Sequence, residues 1–367
     1  MSEPSETAGV GERLVIAQRG SPSAFLGLSL RNGLLNLVTL TLYRFWGKTE
    51  VRRRLWASTY LNDEAFEYTG RGKELFLGFL LALVVVVLPF LLVVFGAQFL
   101  GPVAAALVII PLYIFMGFLA GFGRFTAFRY LASRTSWRGV RFQLRGSPVD
   151  FGWTMLGYAL LSGISLGWFW PAAERRLAGR LWGGLSFGDR PLKFRIDEAR
   201  KEKVYGAYAL GWILGIVAYF VFLGAVVGVF APMMKAQAGG APAIPSIREI
   251  AMIYVALFGL MLAFSAIFAP FHATMARSIV AGIGFEEVRF KLRLTWLDVA
   301  ALTVTNILLL IVSLGFLMPF IEARTRKVLT DRLETSGMAD LSTIGQAPDT
   351  GPRTGEGLAD AFGIATV

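Results

Sequence analysis

One histidine and no cysteine in 367 residues leave little for metal or thiol chemistry to use. A zinc site needs several Cys or His ligands, so none is expected. An iron–sulfur cluster, a disulfide and a thiol nucleophile are excluded on the same ground. The lone His272, in FAPFHATMAR, ends a long apolar run. An imidazole there usually caps a helix or sits at an interface, and a proton relay is the alternative. No HExxH, phosphate-binding glycine loop or nucleophile elbow occurs. Asp63, Asp150, Asp189 and Glu286 fall in turn-like stretches, where solvated carboxylates are the ordinary case. No catalytic residue, metal or cofactor is therefore expected. An enzyme is the least favoured class, confined to a lipid-modifying reaction that Arg, Asp and Tyr could support.

Two other sets of residues remain. Arg31, Asn32, Thr39, Ser165, Asn306 and Ser313 lie within otherwise apolar segments. Polar groups at membrane depth suggest a pathway lining; the alternative is that they cap half-helices and satisfy freed backbone groups. The second set is basic. Arg53, Arg129 and Arg277 each stand thirteen residues before an aromatic residue, Phe66, Phe142 and Phe290, and Arg180 stands in the same relation to Phe194 with a one-residue shift. These arginines lie in basic, amphipathic stretches with Trp46, Trp56, Tyr60, Tyr130, Trp137 and Trp182. Such stretches form an interfacial anchor belt or a platform for anionic headgroups or solutes.

The elements that position these residues are membrane elements. Hydrophobic residues make up 55% of the chain and charged ones 17%, too apolar for a soluble protein of this size. Four runs can span the roughly 30 Å hydrocarbon core as helices: 77–99, 103–122, 207–233 and 250–271. They form two hairpins. Three shorter segments, 26–46, 152–170 and 297–320, are each broken alike. TLTLYRFW, SLGWFWPA and SLGFLMPF align without a gap, so Gly167 and Gly315 match Thr41, and Pro171 and Pro319 match Phe45. Gly and Pro four apart should end or kink a helix inside the membrane. Short alternating stretches at 14–18, 65–70, 140–146, 192–196 and 288–292 read as strands.

The order strand, short segment, basic helix, strand, hairpin, basic helix recurs. It gives repeat 1 over 14–139, repeat 2 over 140–287 and a half repeat over 288–334. A polar tail, 1–13, precedes them without the pattern of a cleavable signal, and a disordered tail, 335–367, follows. The fold class expected is all-α and polytopic, with short strands on the cytoplasmic side.

The net charge of +11 reads as topology, not as nucleic-acid binding. If all seven segments spanned, Lys and Arg would divide almost evenly between the two sides. If only the two hairpins cross and the three short segments turn back, all but three of the 36 fall on one side. The exceptions are Lys235 and Arg248, on the outer loop, and Arg31. The second arrangement is expected, with its breaks inside the bundle because non-helical backbone in lipid needs cover.

The stretch from Asn32 to Phe79 resembles the YjgN family of bacterial inner-membrane proteins. The matching residues are Asn32, Thr39, Leu40, Tyr43, Trp46, Arg52 to Arg54, Thr59, Phe66, Tyr68 and Gly70. Thr41 stands where Gly is usual and Phe45 where Pro is usual. The resemblance covers about residues 10–335. It implies an inner-membrane location and no known activity. Two functions stay open: transport or channel-like movement of a small or anionic solute, or a non-transporting scaffold that meets anionic lipid. The lipid bilayer is the expected partner, and a protein partner or a second copy is left open.

Overall fold

The computed structural model describes residues 11–239 and 245–346. β1 (Ile16–Gln18) leads through a 3-10 turn into α1 (Leu26–Val38) and α2 (Arg44–Ala57). β2 (Thr59–Leu61), β3 (Glu64–Ala65) and β4 (Glu67–Tyr68) follow. The next helix pairs α3 (Gly72–Ala82) and α4 (Leu88–Ala97), joined by a π-helical turn, with α5 (Pro102–Ser133). β5 (Thr135–Trp137) and β6 (Val140–Leu144) precede α6 (Pro148–Ile164) and α7 (Trp170–Gly184). β7 (Leu185–Phe187), β8 (Arg190–Phe194) and the short α8 (Ile196–Arg200) precede α9 (Val204–Ala238), α10 (Ile247–Ile267) and α11 (Ala269–Gly282). β9 (Ile283–Phe285), β10 (Val288–Leu292), α12 (Trp296–Val312), α13 (Met318–Asp331) and β11 (Leu333–Ser336) complete the order.

Among the described residues, four helices are long and apolar enough to cross a membrane: Gly72–Ala97, Pro102–Ser133, Val204–Lys235 and Ile247–Ile267. The shortest has 21 residues, which at 1.5 Å per residue reaches across a hydrocarbon core of about 30 Å. Their surfaces expose residues such as Leu92, Val103, Phe220 and Val255. Large apolar side chains facing outward in this number are stable where the solvent is lipid, not water.

The strands form a circuit. β4 to β11 make one antiparallel sheet in sequence order, and β1, β2 and β3 make a second. Phe66 joins the two, its N–H donating to the Thr59 carbonyl at 2.9 Å. The far ends also meet. Glu12 and Ala339 exchange both backbone hydrogen bonds, at 2.8 and 3.0 Å, and the Arg13 guanidinium donates to the Thr335 carbonyl. Two-residue turns link several strands. Asn62 and Asp63 in one, and Arg138 and Gly139 in another, all have positive φ, the backbone that suits a tight antiparallel turn. Inside the circuit the aromatic rings pack on one another. Phe187 lies 4.7 Å from Phe142, 5.9 Å from Trp137 and 6.4 Å from Phe285, centroid to centroid. Leu14 and Leu341, near opposite ends of the chain, share this core.

That closure corrects both expected tail boundaries. Residues 335–346 are folded: β11 pairs with β10, and Ala339, Leu341 and Ile344 pack into the strand core. Residues 338–346 run as a strap across several turns. The Asp340 N–H donates to Glu286, the Asp189 N–H donates to the Gly345 carbonyl, and the Arg141 N–H donates to the Gln346 side chain. The remainder of the expected tail, 347–367, lies outside the described residues, as do 1–10.

The three breaks share one geometry. Leu40, Leu166 and Leu314 have φ near 50°, and Thr41, Gly167 and Gly315 follow at 70°, 91° and 84°. The N–H groups of Thr41, Gly167 and Gly315 donate to the carbonyls of Asn36, Ser162 and Leu310. This six-to-one bond closes a helix C-terminus when the chain turns left-handed. Thr41 therefore does not blunt the first break; a β-branched residue holds the conformation that Gly holds in the other two. Pro171 and Pro319 sit in the first turn of α7 and α13, where a missing N–H costs nothing. They start the returning helix and do not kink the outgoing one.

Nor are the breaks sheltered inside a bundle as expected. Leu40 is 84% exposed, Leu166 78% and Leu314 86%. The tips need no protein cover because their freed N–H groups are satisfied locally.

At the opposite end of α12, Thr295 and Asp298 form a capping box, and Asp298 also binds Arg332 at the end of α13. Arg332 first, then the Thr295 hydroxyl, holds the Asp298 carboxyl well below the usual carboxylate range. A depressed folded value stabilises the fold at neutral pH, and the gain fades as pH drops below the unfolded value of about 4. Asp298→Asn should cost about 1 kcal/mol at pH 7. In thermal melts, the gap from the parent should narrow below pH 4.

Candidate functional site

The sequence-predicted polar residues divide into caps and pairs. The hydroxyls of Thr39, Ser165 and Ser313 occupy one equivalent position. Each accepts the N–H four residues on, from Tyr43 at 3.0 Å, Phe169 at 2.9 Å and Leu317 at 3.2 Å. Each hydroxyl also donates back to the helix it ends, to Leu35, Ser162 and Leu310. Arg31 pairs with Glu50 at the surface. Buried Asn32 donates to the Gly47 carbonyl, tying α1 to α2. Asn306 bonds Thr325 and Arg324, tying α12 to α13. Gly167 lies against Trp212 and Tyr208, and the Tyr208 hydroxyl donates to its carbonyl at 2.9 Å.

The recurrent arginines also have a structural task. Arg53 donates to the carbonyl of Gly70, Arg129 to Gly146 and Arg277 to Leu294, each seventeen residues on. Those carbonyls lie just before α3, α6 and α12 respectively. The thirteen-residue spacing thus reflects one repeated corner, with a guanidinium pinning the strand exit to the basic helix. Arg180 is exposed. In its unit the equivalent position is Gly179, which lets the Phe194 ring sit where a side chain would be.

A half-open chamber lies elsewhere, between the basic helices. It consists of two neighbouring pockets, of about 600 Å³ and about 360 Å³, with Phe128, Trp182 and Leu329 lining both. Its lining follows a rule. Each of α2, α5, α7, α11 and α13 is followed by a strand, starting at Thr59, Thr135, Leu185, Ile283 and Leu333. Seven residues before those starts stand Arg52, Phe128, Ala178, Ala276 and Arg326, and all five line the chamber. Three residues before them stand Trp56, Ala132, Trp182, Val280 and Thr330, and all five line it too. Positions four apart share a helix face, so five helices present the same face to one space.

One turn further up, eleven residues before the strands, the positions are Lys48, Arg124, Glu174, His272 and Glu322. All can ionise. Lys48, Arg124 and Glu322 line the chamber, and Arg124 pairs with Glu174 at 3.2 Å. His272 shares this level. Burial lowers its affinity for a proton, which favours the neutral imidazole.

The helix ring closes where the chain ends meet. The Phe320 N–H donates to the fully buried Ser29 hydroxyl at 3.2 Å. Gly33 leaves room for the Phe316 ring, and Val51 and Leu55 share a core with Ala323. α2 and α13 therefore stand side by side and bring Lys48, Arg52, Glu322 and Arg326 to one wall. The Arg326 guanidinium stacks 4.5 Å over Trp56. Arg52 is buried and donates to the Tyr68 hydroxyl. Burial pushes the Glu322 carboxyl up, against the pull of Arg326, Arg52 and Lys48.

The sequence reading missed this wall, apart from placing Trp56 and Trp182 in an anchor belt. Counting back from the strand that ends each basic helix would have found it. The chamber lining includes none of Arg31, Asn32, Thr39, Ser165, Asn306 and Ser313. Among the described residues no cluster of His, Asp and Glu could hold a metal ion.

Comparison with known proteins places the chain among membrane proteins. Inner membrane protein YjgN of Salmonella typhimurium is 28% identical over 149 residues, covering 40% of this chain and 35% of that protein. Inner membrane protein YjgN of Escherichia coli O157:H7 is 23% identical over 240 residues, covering 55% of this chain and 58% of that protein. The chain thus spans between a third and three fifths of these relatives. No solved structure matches. The family model described as bacterial protein of unknown function (DUF898) matches residues 14–361. A match over almost the whole length, with YjgN proteins as relatives, means that the chain belongs to the YjgN family of bacterial membrane proteins, DUF898.

Proposed function

We propose that this is an inner-membrane protein whose central chamber takes up an anionic solute. Four helices cross the bilayer, and the three shorter hairpins, built on α1–α2, α6–α7 and α12–α13, enter and leave on the cytoplasmic side. Strands hydrogen-bonded into one circuit must share one side of a membrane, which supports this topology over seven alternating spans. The cytoplasmic bias of Lys and Arg supports the orientation, and the names of the relatives support the inner membrane as the location. A hairpin ending in a basic helix recurs five times, four of them after paired strands, which supports an internal repeat.

The observation that carries the function is the charge on the chamber wall. Lys48, Arg52 and Arg326 face one carboxylate, Glu322. A wall richer in basic than in acidic side chains attracts anions. Movement of that anion through the ring is the transport reading. The packed rings of Phe142, Phe187 and Phe285 and the strap over the strand turns favour a second reading, a receptor that binds without transport.

Trp56 and Trp182 line the chamber and report on its contents. Titration of purified protein with small organic phosphates should change tryptophan fluorescence saturably, and Arg326→Gln should weaken binding about tenfold. Saturable flux of the same anion into proteoliposomes selects transport; binding without flux selects the receptor. Absence of any anion-dependent change contradicts the anion site itself.

A further inference from the structure

We infer that Arg175 binds a phosphate group at the border of the bilayer, in the seam between α7 and α9. This site is separate from the chamber and does not depend on it.

The five basic helices share one more equivalent position. Ten residues before the strands that start at Thr59, Thr135, Leu185, Ile283 and Leu333 stand Thr49, Phe125, Arg175, Ala273 and Ala323. All five are buried, from 0% exposed at Ala273 and Ala323 to 9% at Arg175. Four of them are neutral, and they pack without a charge. Phe125 lies 5.4 Å from Phe151 near the start of α6, and Ala323 joins the core of Val51 and Leu55. The architecture therefore does not require a cation at this position, yet α7 carries one.

That cation lacks an anion within the protein. Among the described residues, the one partner of Arg175 is the Tyr205 ring, whose centroid lies 5.8 Å from the guanidinium carbon. Glu174, next to it in the chain, binds Arg124, and Glu202, three residues before Tyr205, binds Arg277. An aromatic face offsets part of a buried charge, but it leaves the five N–H donors of a guanidinium without acceptors in their plane. Arginine does not shed its proton to escape burial, as lysine can. A buried charge of this kind needs a counter-charge.

The surroundings set the class of that anion. Tyr205 is the second residue of a membrane span, Val204–Lys235, and it is 41% exposed. The seam therefore opens where a span leaves the hydrocarbon, which is the level of lipid headgroups. Gly206, the next residue, has open space where a side chain would be. The start of α9 lies at the same level, and a helix start favours anions. A guanidinium fork matches two oxygens of a phosphate. A phospholipid can bring that group to the seam while its tails stay in the bilayer, and a soluble phosphate offers the same group from the cytoplasm.

The test uses delipidated full-length protein in an uncharged detergent and three probes: a short-chain phosphatidylglycerol, the diacylglycerol of the same chain length, and inorganic phosphate. Phosphatidylglycerol should raise the melting temperature by about 3 °C or more at saturation, and it should bind at least about tenfold tighter than the diacylglycerol. Inorganic phosphate identifies the source. Binding weaker than that of phosphatidylglycerol assigns the site to a lipid, and equal binding assigns it to a soluble phosphate. Arg175→Gln and Arg175→Met should each abolish the preference for phosphatidylglycerol over diacylglycerol, and Arg180→Gln at the exposed surface should leave it intact. Without any probe, the two Arg175 variants should melt no lower than the parent, because they remove no ion pair or hydrogen bond within the protein. Equal binding of phosphatidylglycerol and diacylglycerol overturns the inference, as does no binding by any probe. A preference that survives both Arg175 variants overturns Arg175 as its seat. Destabilisation of both variants in the absence of probe also overturns it, because the guanidinium would then have a partner inside the protein.

Discussion

Cutting the chain after Gly337 should release the strand circuit and leave a protein that no longer melts cooperatively on its cytoplasmic side. The segment removed carries Ala339, Leu341 and Ile344 out of the strand core. Leu341 is only 7% exposed, and losing one such buried leucine ordinarily costs about 2–5 kcal/mol. The backbone exchange between Glu12 and Ala339 goes as well, as do the bonds to Glu286, Asp189 and Arg141. The Glu12 backbone would then lack its partner while Arg13 keeps the Thr335 carbonyl, and the circuit would gain a free edge at residue 12, the feature that invites misassociation. Truncation after Gln346 should be close to neutral by the same reasoning. Thermal melting of the two truncations in detergent, read by tryptophan fluorescence, checks this. Equal stability would mean that the strap only rests on the ring.

Replacing Glu322 with Gln should be the most damaging single change in the chamber. Its carboxylate is the one negative group beside Lys48, Arg52 and Arg326. Removing the carboxylate withdraws its charge from a half-buried set in which Arg52 is buried, at a cost of about 1–3 kcal/mol. The loss should be partly reversed by high salt, which screens the surviving cations where the chamber admits ions. It should also be partly reversed by pairing the change with Arg326→Gln, because the two residues interact and their effects are not additive. A double-mutant cycle in thermal melts gives the coupling directly. A cycle with no coupling would detach Glu322 from Arg326.

Some of this molecule was legible in its sequence and some was not, for identifiable reasons. The four spans stand out because lipid-facing helices must be apolar over about 20 residues. The three breaks were visible as an aligned motif, but their physics was misread. Thr39, Ser165 and Ser313 satisfy the turn from within, so the tips can face outward. Thr41 shows that the turn does not depend on glycine. β2, β5, β7 and β9 span three residues each and start directly after a helix, too short for an alternating pattern to register. The chamber was hidden for a different reason. Lys48, Arg52 and Glu322 meet only because the first hairpin packs against the last, a closure that no local pattern contains. Trp56 and Trp182 looked like interfacial anchors because an amphipathic helix beside a membrane carries tryptophan for either purpose.

The strand circuit, the strand-proximal ends of all five basic helices and the chamber share the cytoplasmic side in this account, with the three short hairpins turning back. The chain has no native cysteine, so single cysteines can report sidedness without a background. The most direct measurement places them one at a time at Asp63, Asp189, Leu100 and Ser246 and treats intact cells with a membrane-impermeant maleimide. Asp63 and Asp189 lie in strand turns on either side of the α6–α7 hairpin; Leu100 and Ser246 flank the long spans at their other ends. The expected result is labelling at positions 100 and 246 from outside, with positions 63 and 189 labelled only after permeabilisation. Positions 63 and 189 labelled from opposite sides would contradict the account, because the short hairpins would then cross and the circuit could not close.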